Sequence, residues 1–372
     1  MKPLRFEPVS YDYLWGRELW LLSPIAGKES LCNGKPLSAY IAEYKERLLG
    51  KRSIRLYGER FPLLIKDIKS RQQLSVQVHP DDQMAHTKGL PNGKSEMWLV
   101  KEVCGADLAS RVDKGYEDDA NQIIVGLNNH LTLKEFETIV RQSVESPDVE
   151  LAEQRLESQL RSYKAQKGDC FYIPAGVVHS IGAGLNILEI QQASDTTYRL
   201  YDFNRTDKNG QKRELHIEDA LCAMGKNGEI SALNFTEKCN NYCNNNSISS
   251  NNNTCVDSHS EQQRRIFSAP LNCYSSKSAI VELVRSTHFT ANLINFNNFC
   301  RPKCGAENFY HIDYSRYGSF SIIVCIEGSG KLLYNSSSEE YINKGDLLLL
   351  PAELSSADIY STSSLQLVEI HI

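Results

Sequence analysis

The chain has 372 residues, 41% apolar and 23% charged, with a formal net charge of −5. That is enough for two ordinary domains with a real core, and the mild acidity leaves no electrostatic footprint for nucleic acid or an anionic membrane. No run approaches the roughly 18 apolar residues of a membrane span, MKPLRFEPVS lacks the apolar core of a secretory leader, and 11 scattered cysteines, an odd number, read as reduced cytoplasmic thiols rather than a disulfide framework.

In chain order, FPLLIKDI (Phe61 to Ile68), QLSVQVH (Gln73 to His79) and EMWLVKEV (Glu96 to Val103) are short apolar or alternating runs bounded by Pro, Asp, Asn or Gly. They predict strands. His86 falls in a polar stretch after HPDD and reads as a loop residue. From about Leu131 to Tyr163 the pattern changes to three-and-four apolar spacing on a charged background, in LTLKEFETIV and LAEQRLESQLRSY. Two short helices are expected there, within an insertion at about 117–163. Thr132 and Glu135 form a candidate capping box. Strand grammar returns in CFYIPAG and LNILEIQQ, then FSIIVCIE, DLLLLPAE and LQLVEIHI near the C-terminus. The class is mainly β, a sandwich or barrel with a small helical insertion in its first part.

Lys238 to Gln263 is rich in Asn and Ser, a composition that cannot offset the entropy of ordering. It divides the chain into 1–237, a linker at 238–263, and 264–372. Cys239, Cys243, Cys255 and His259 approach the spacing of a small zinc site, but little around them could pack on a metal. The two sides share a repeat. QKGDCFYIPAGVVHS (Gln166 to Ser180) matches NKGDLLLLPAELSSA (Asn343 to Ala357), with Lys-Gly-Asp and Pro-Ala recurring at constant offset. His179 in the first copy falls on Ser356 in the second. Ser319 is expected where the first copy has Glu96.

Gln77 and His79 sit two apart on a strand, hence on one face. Glu96 opens the next strand and His179 ends the repeated hairpin. If these strands share a barrel, two imidazoles, a carboxylate and an amide oxygen converge. That set suits one Zn²⁺ with room for water or substrate, and Fe²⁺ less well. Each residue alone reads as an ordinary hydrogen-bonded side chain. The joint pattern is what argues for a metal.

LSVQVHPDD, GKSEMW, and the run GDCFYIPAGVVHSIGAGLNILEIQQASDTTYRLYDFNR resemble the type I phosphomannose isomerases, and YLWGRELW resembles that family's N-terminal Trp-Gly stretch, with Arg17 where a second Gly is usual. The resemblance runs from about Leu4 to Ile217 and more loosely through the C-terminal part. It implies two cupin (jelly-roll) domains, the second degenerate, a zinc ion on Gln77, His79, Glu96 and His179, and interconversion of mannose 6-phosphate and fructose 6-phosphate through a cis-enediol. By the same resemblance Glu189 is the first candidate base and Asp195 the second, Arg199 is the active-site arginine, and Trp15 walls the pocket. Lys94 shares the face of Glu96 if its strand starts early. Arg205 is either a phosphate contact or a solvated loop charge, and Trp98 is a core residue. The implied partner is a small sugar phosphate, the implied assembly a monomer or weak homo-oligomer. Another cupin metalloenzyme, such as an Fe(II) oxygenase, and a sugar-binding regulator derived from an isomerase stay open as alternatives. All four candidate ligands and Arg199 are present, which favours an enzyme.

Overall fold

Leu63–Ser70, Glu96–Val103 and Leu185–Gln192 are buried along almost their whole length, and the structure explains their near-continuous apolar sequence. In this computed structural model, which describes residues 1–104, 120–128, 131–146, 148–206, 209–225, 271–272, 279–298, 308–335, 337–361 and 364–372, the three strands are neighbours in one antiparallel sheet. Ile68, Trp98, Val100, Leu185 and Ile187 face the interior of a first barrel. The alternate residues Leu63, Ile65, Met97, Leu99, Leu188 and Ile190 pack into a second core. That core is completed by Ile322, Val324, Leu349, Val368 and Ile370 of the C-terminal part. Both faces of the sheet therefore leave water, and a strict apolar–polar alternation would strand polar side chains in a core.

The large sheet of the first barrel runs Val9–Tyr13, Gly16–Leu22, Leu63–Ser70, Leu185–Gln192, Glu96–Val103, Asp169–Ile173, with Leu271–Asn272 at its edge. The small sheet opposite it runs Leu160–Lys164, Gln122–Leu127, His179–Ile181, Val76–Val78, Tyr198–Tyr201. The second barrel repeats the plan. Ser321–Tyr334 pairs with Leu347–Leu350 and Leu365–His371, and Thr290–Asn295 follows. Asn308–Asp313, Ser356–Ser361, Ser338–Asn343 and the far end of Ser321–Tyr334 form its other face. Two jelly-roll barrels thus stand back to back on their large sheets, as a mainly β, cupin-type reading expects.

The chain crosses between the barrels at both ends. Leu4–Arg5 pairs with the strand Leu347–Leu350 of the second barrel, and Leu271–Asn272 pairs with Asp169–Ile173 of the first. The segment 238–263, with Cys239, Cys243, Cys255 and His259, lies outside the described residues.

The helical insertion is shorter than its spacing suggests. Helices span Leu133–Glu145 and Val149–Glu157, and the first carries the reciprocal Thr132–Glu135 capping box. The run Leu160–Lys164, expected to continue the second helix, is a strand. Its backbone finds partners on Gln122–Leu127, the edge of the small sheet, and that ladder outweighs local helix propensity. Gln122–Leu127 is likewise strand, not helix. His86 lies in a helix, Asp82–Thr87, rather than a loop. Asp81 caps it by accepting from Met84 N at 2.7 Å.

Helices at Leu37–Tyr44, Glu46–Leu49 and Lys51–Tyr57, which no strand pattern announced, dock the first part onto the second. Phe320 N donates to Leu49 O, Ala352 N to Leu48 O, and Arg52 N to Gly318 O. Gly50 sits at this seam with φ 83°, and a Cβ there would come 2.4 Å from the Gly318 carbonyl oxygen. Gly50→Ala therefore combines a left-handed backbone with a backbone collision. We expect a loss of about 1–3 kcal/mol or more, read as a lower thermal midpoint. An unchanged midpoint would show that the seam has slack the geometry does not reveal.

Candidate active site

The turn that assembles the site depends on Gly93. A Cβ on this residue would lie 2.6 Å from the backbone of Asp81 and Asp82. Its amide instead donates to Asp82 Oδ1 at 2.8 Å, and Lys94 N donates to Pro80 O at 3.0 Å. This close approach places Lys94 and Glu96 against His79.

His79, Glu96 and His179 converge inside the first barrel, with ligand atoms all within 4.8 Å of one another. All three are buried, at 1%, 0% and 0% exposure. Glu96 Oε2 lies 3.4 Å from His79 Nε2, and Glu96 Oε1 lies 3.3 Å from His179 Nε2. His79 Nδ1 is 3.0 Å from Thr196 O, and His179 Nδ1 is 2.8 Å from Val177 O. A carbonyl can only accept, so each ring carries its proton on Nδ1. Each Nε2 then presents a lone pair, and the two are 3.0 Å apart. Burial, aided by Lys94, pushes His79 down to about 3, and burial lowers His179 as well. Both imidazoles are neutral. Glu96 Oε1 is buried without a hydrogen-bond partner. Burial alone would raise the Glu96 carboxyl, but the Lys94 ammonium beside it holds it well below the usual range. Two facing lone pairs beside an ionised, partly unpartnered carboxylate ask for a cation. This donor set fits a zinc ion.

Lys94 supplies part of that charge. Its Nζ lies 2.7 Å from Glu96 Oε2 and 3.0 Å from His79 Nε2. The strand begins only at Glu96, so the turn at Gly93 rather than strand alternation brings Lys94 here. Glu189 follows, with Oε1 at 4.0 Å from Lys94 Nζ and 3.3 Å from Lys66 Nζ. Trp98 Nε1 donates to Glu189 Oε2 at 2.9 Å. Burial raises the Glu189 carboxyl in spite of Lys66. Lys66 is held charged, because Glu18 and Glu189 outweigh its own desolvation. Glu18 Oε2 is 3.4 Å from Lys66 Nζ and accepts from Trp20 Nε1 at 2.7 Å. An alternating line of charges, Glu96, Lys94, Glu189, Lys66 and Glu18, thus crosses the buried interior. Lys66 and Glu18 were missed in the sequence. The available signal was parity: Lys66 shares the inward register of Ile68, just as Glu189 shares that of Ile187.

Gln77 pairs in register with His179 on one side and Arg199 on the other. Directly paired residues of antiparallel strands share a face. Gln77, His179 and Arg199 therefore form a row on the small sheet, opposite the face on which Val76, Val78, Tyr198 and Leu200 pack against helices. Arg199 lies on Tyr198–Tyr201, in the sheet opposite the one that carries Glu189, because the chain turns at 194–197 and crosses over. Arg199 Nη1 donates to Glu214 O at 2.6 Å, and its Nε is buried without a partner. Burial, then Arg213, pushes its pKa down. Arg205 is not a solvated loop charge. It is half-buried, donating to Gln73 O and pairing with Asp202, which also holds Arg213.

Asp195 is exposed at the rim, 3.0 Å from Lys28. Trp15 is 5% exposed and packs with Leu74 and Trp98, with Tyr13 stacked on it at 5.1 Å. Trp98 is fully buried as expected, and its ring also meets His179 edge-on at 5.4 Å.

Residues 14–138 match the model for phosphomannose isomerase type I, catalytic domain. The mannose-6-phosphate isomerase ManA of Bacillus subtilis is 33% identical over 242 residues, covering 59% of this chain and 67% of that protein. The chain belongs to the type I phosphomannose isomerase family. The crystal structure of the mannose 6-phosphate isomerase from Bacillus subtilis superposes over 100% of both chains with a TM-score of 0.69 at 23% identity. A zinc-bound mannose 6-phosphate isomerase has the same fold, covering 100% of this chain and 99% of that one, with a TM-score of 0.63 at 14% identity.

Within this family fold the second barrel differs at the ligand positions. In the first copy Ile173 stands opposite Glu96. In the second, Leu350, the repeat of Ile173, stands opposite Ser321. Ser321, not Ser319, therefore replaces Glu96. The strand starts two residues later than the Gly-bounded sequence suggests. His179 falls on Ser356, whose register partner is Asp313 where His179 has Gln77. We expect one zinc per chain by metal analysis, lost in His179→Ala. Two per chain, with one surviving that substitution, would count against this.

Proposed function

We propose that the protein interconverts mannose 6-phosphate and fructose 6-phosphate, with a zinc ion held by Gln77, His79, Glu96 and His179. The observation that carries the reading is the pair of facing Nε2 lone pairs beside Glu96. Zinc bound there supplies a Lewis acid for the oxygens at C1 and C2 of the open-chain sugar. Membership of the isomerase family supports the substrate pair.

The isomerisation moves one proton from carbon to carbon and one from oxygen to oxygen. In the mannose direction Glu189 takes the proton from C2, breaking the C–H bond, and its electron pair forms the C1–C2 double bond of a cis-enediol. The same carboxyl returns the proton to C1. Its Oε1 is buried with Lys66 Nζ at 3.3 Å, and its raised pKa suits a base that must hold a proton briefly. Lys94, poised between Glu96 and Glu189, moves the proton between O1 and O2. Lys66 and Trp98 hold Glu189 in place. Asp195, paired with Lys28 at the rim, is the weaker candidate for the base. Arg199 stabilises negative charge that develops on the sugar oxygens, or grips the phosphate together with Arg205 and Arg213. Asp202 is ion-paired with Arg205 and Arg213, and the exposed Glu214 lies near Arg199, so three guanidinium groups face two carboxylates and positive charge is left for an anion. Trp15 and Tyr13 wall the entrance.

No described helix is long and apolar enough to cross a membrane, and the described cysteines, such as the buried Cys32 and Cys170, are free thiols. We take the protein to act in the cytoplasm, as a monomer or weak homo-oligomer. Purified protein given mannose 6-phosphate should produce fructose 6-phosphate in a coupled assay. No turnover by zinc-loaded protein would overturn the proposal and favour the sugar-binding alternative.

A further inference from the structure

We propose that His216 is a positioning residue for Arg199: it clamps the arginine backbone from outside the sheet and so aims the guanidinium. The inference rests on the active-site role proposed for Arg199 and adds a residue that itself touches no substrate. The place is a sheet edge. Tyr198–Tyr201 ends the small sheet, with Val76–Val78 on one side and no strand on the other among the described residues. An edge leaves backbone N–H and C=O groups in need of partners. The ladder is also irregular here, with a register shift between Arg199 and Tyr201. Such a shift re-aims the side chains around it. Where Arg199 points therefore depends on what holds its backbone from the open side.

His216 holds it twice. His216 N donates to Arg199 O at 2.7 Å, and Arg199 N donates to His216 Nδ1 at 3.1 Å. One residue thus satisfies both backbone groups of Arg199, the first with its main chain and the second with its ring. Nδ1 accepts, so the His216 ring carries its proton on Nε2, the opposite tautomer to His79 and His179. Because the Arg199 N–H and carbonyl face His216, the pairing of Arg199 with Gln77 is the narrow, non-hydrogen-bonded kind, in which side chains lie closest. A third bond comes from the same segment, where Glu214 O accepts from Arg199 Nη1 at 2.6 Å. Residues 214–216 therefore fix both the backbone and the head of the arginine.

The clamp is itself anchored. His216 immediately precedes the helix Ile217–Met224, yet its side chain does not cap it, and with ψ at 52° its backbone is turned out of the extended range of a capping residue. The helix packs Ala220, Leu221 and Met224 against Val76, Val78, Tyr198 and Leu200. It lies on the face of the small sheet opposite Gln77, His179 and Arg199. Burial on that face holds the helix, and the residue before its first turn reaches the sheet edge to fix the arginine that points to the other face.

The test is a double-mutant cycle on the zinc-loaded full-length protein, read by steady-state kinetics with mannose 6-phosphate, zinc content and a circular dichroism melt. His216→Ala should move the same parameter, kcat or KM, that Arg199→Ala moves, by about tenfold or more, since a misplacement of about 1 Å can cost on the order of 10²-fold. Zinc content should not change. His216→Asn should recover most of the loss, because its Oδ1 takes the place of Nδ1. In the Arg199→Ala background, His216→Ala should add less than about twofold, because residues that act as one unit are not additive. If His216→Ala melts early, His216→Gln serves as the disruptive variant, since its longer side chain carries the amide past Arg199 N. Normal kinetics in both variants would overturn the inference, as would an effect that multiplies undiminished on Arg199→Ala. Normal kinetics in Arg199→Ala would overturn it together with the role of Arg199. No turnover by wild type would instead overturn the isomerase reading, a result seen before any variant is made.

Discussion

Dialysis against a strong chelator should abolish isomerisation, and Zn²⁺ should restore it. His79→Ala and His179→Ala should each lose both bound zinc and activity, by a factor on the order of 10³ or more, since a Lewis acid at developing oxyanions is worth several kcal/mol. The expectation follows from geometry. Each ring donates from Nδ1 to a fixed carbonyl, so neither can turn its Nε2 away without losing a buried hydrogen bond. Chelated protein should remain folded, because Lys94 already neutralises much of Glu96. The decisive measurement is zinc content against rate across a chelation series. Full activity in a zinc-free, iron-free preparation would sink the assignment, and activity restored by Fe²⁺ alone with oxygen consumption would favour the oxygenase alternative.

Arg199→Ala should lower kcat by about 10²–10³ with a smaller change in KM, if the guanidinium serves charge that appears mainly in the transition state. Its position supports this role. It stands in the same row as Gln77 and His179, and its Nε has no hydrogen-bond partner among the described residues, a buried donor held in readiness. Arg199→Lys should recover only part of the loss, because a point charge cannot reproduce a planar fork. Steady-state kinetics with zinc content checked would separate the cases. A raised KM with normal kcat would move Arg199 to the phosphate, alongside Arg205 and Arg213. Normal values of both would remove it from the site.

Residue types and their spacing in the sequence determine the mainly β class, the repeated hairpin, the capped helix at Thr132, and the convergence of His79, Glu96 and His179. These are legible because local rules produce them. Alternation sets strand faces, an N-cap needs residues three apart, and a Gly-Asp turn before a buried strand leaves the same trace twice. The tertiary structure alone decides the rest. Leu160–Lys164 becomes a strand because an open sheet edge is available to it. Arg199 sits beside Gln77 because the chain changes sheets after Gln192. Lys66 and Glu18 join the site because strands far apart in sequence lie side by side in the large sheet. Ser321 rather than Ser319 replaces Glu96 because ladder hydrogen bonds, not the position of a glycine, set where the strand begins. Each of these depends on which strand finds which neighbour, and a single segment carries no record of the partner that will satisfy its backbone.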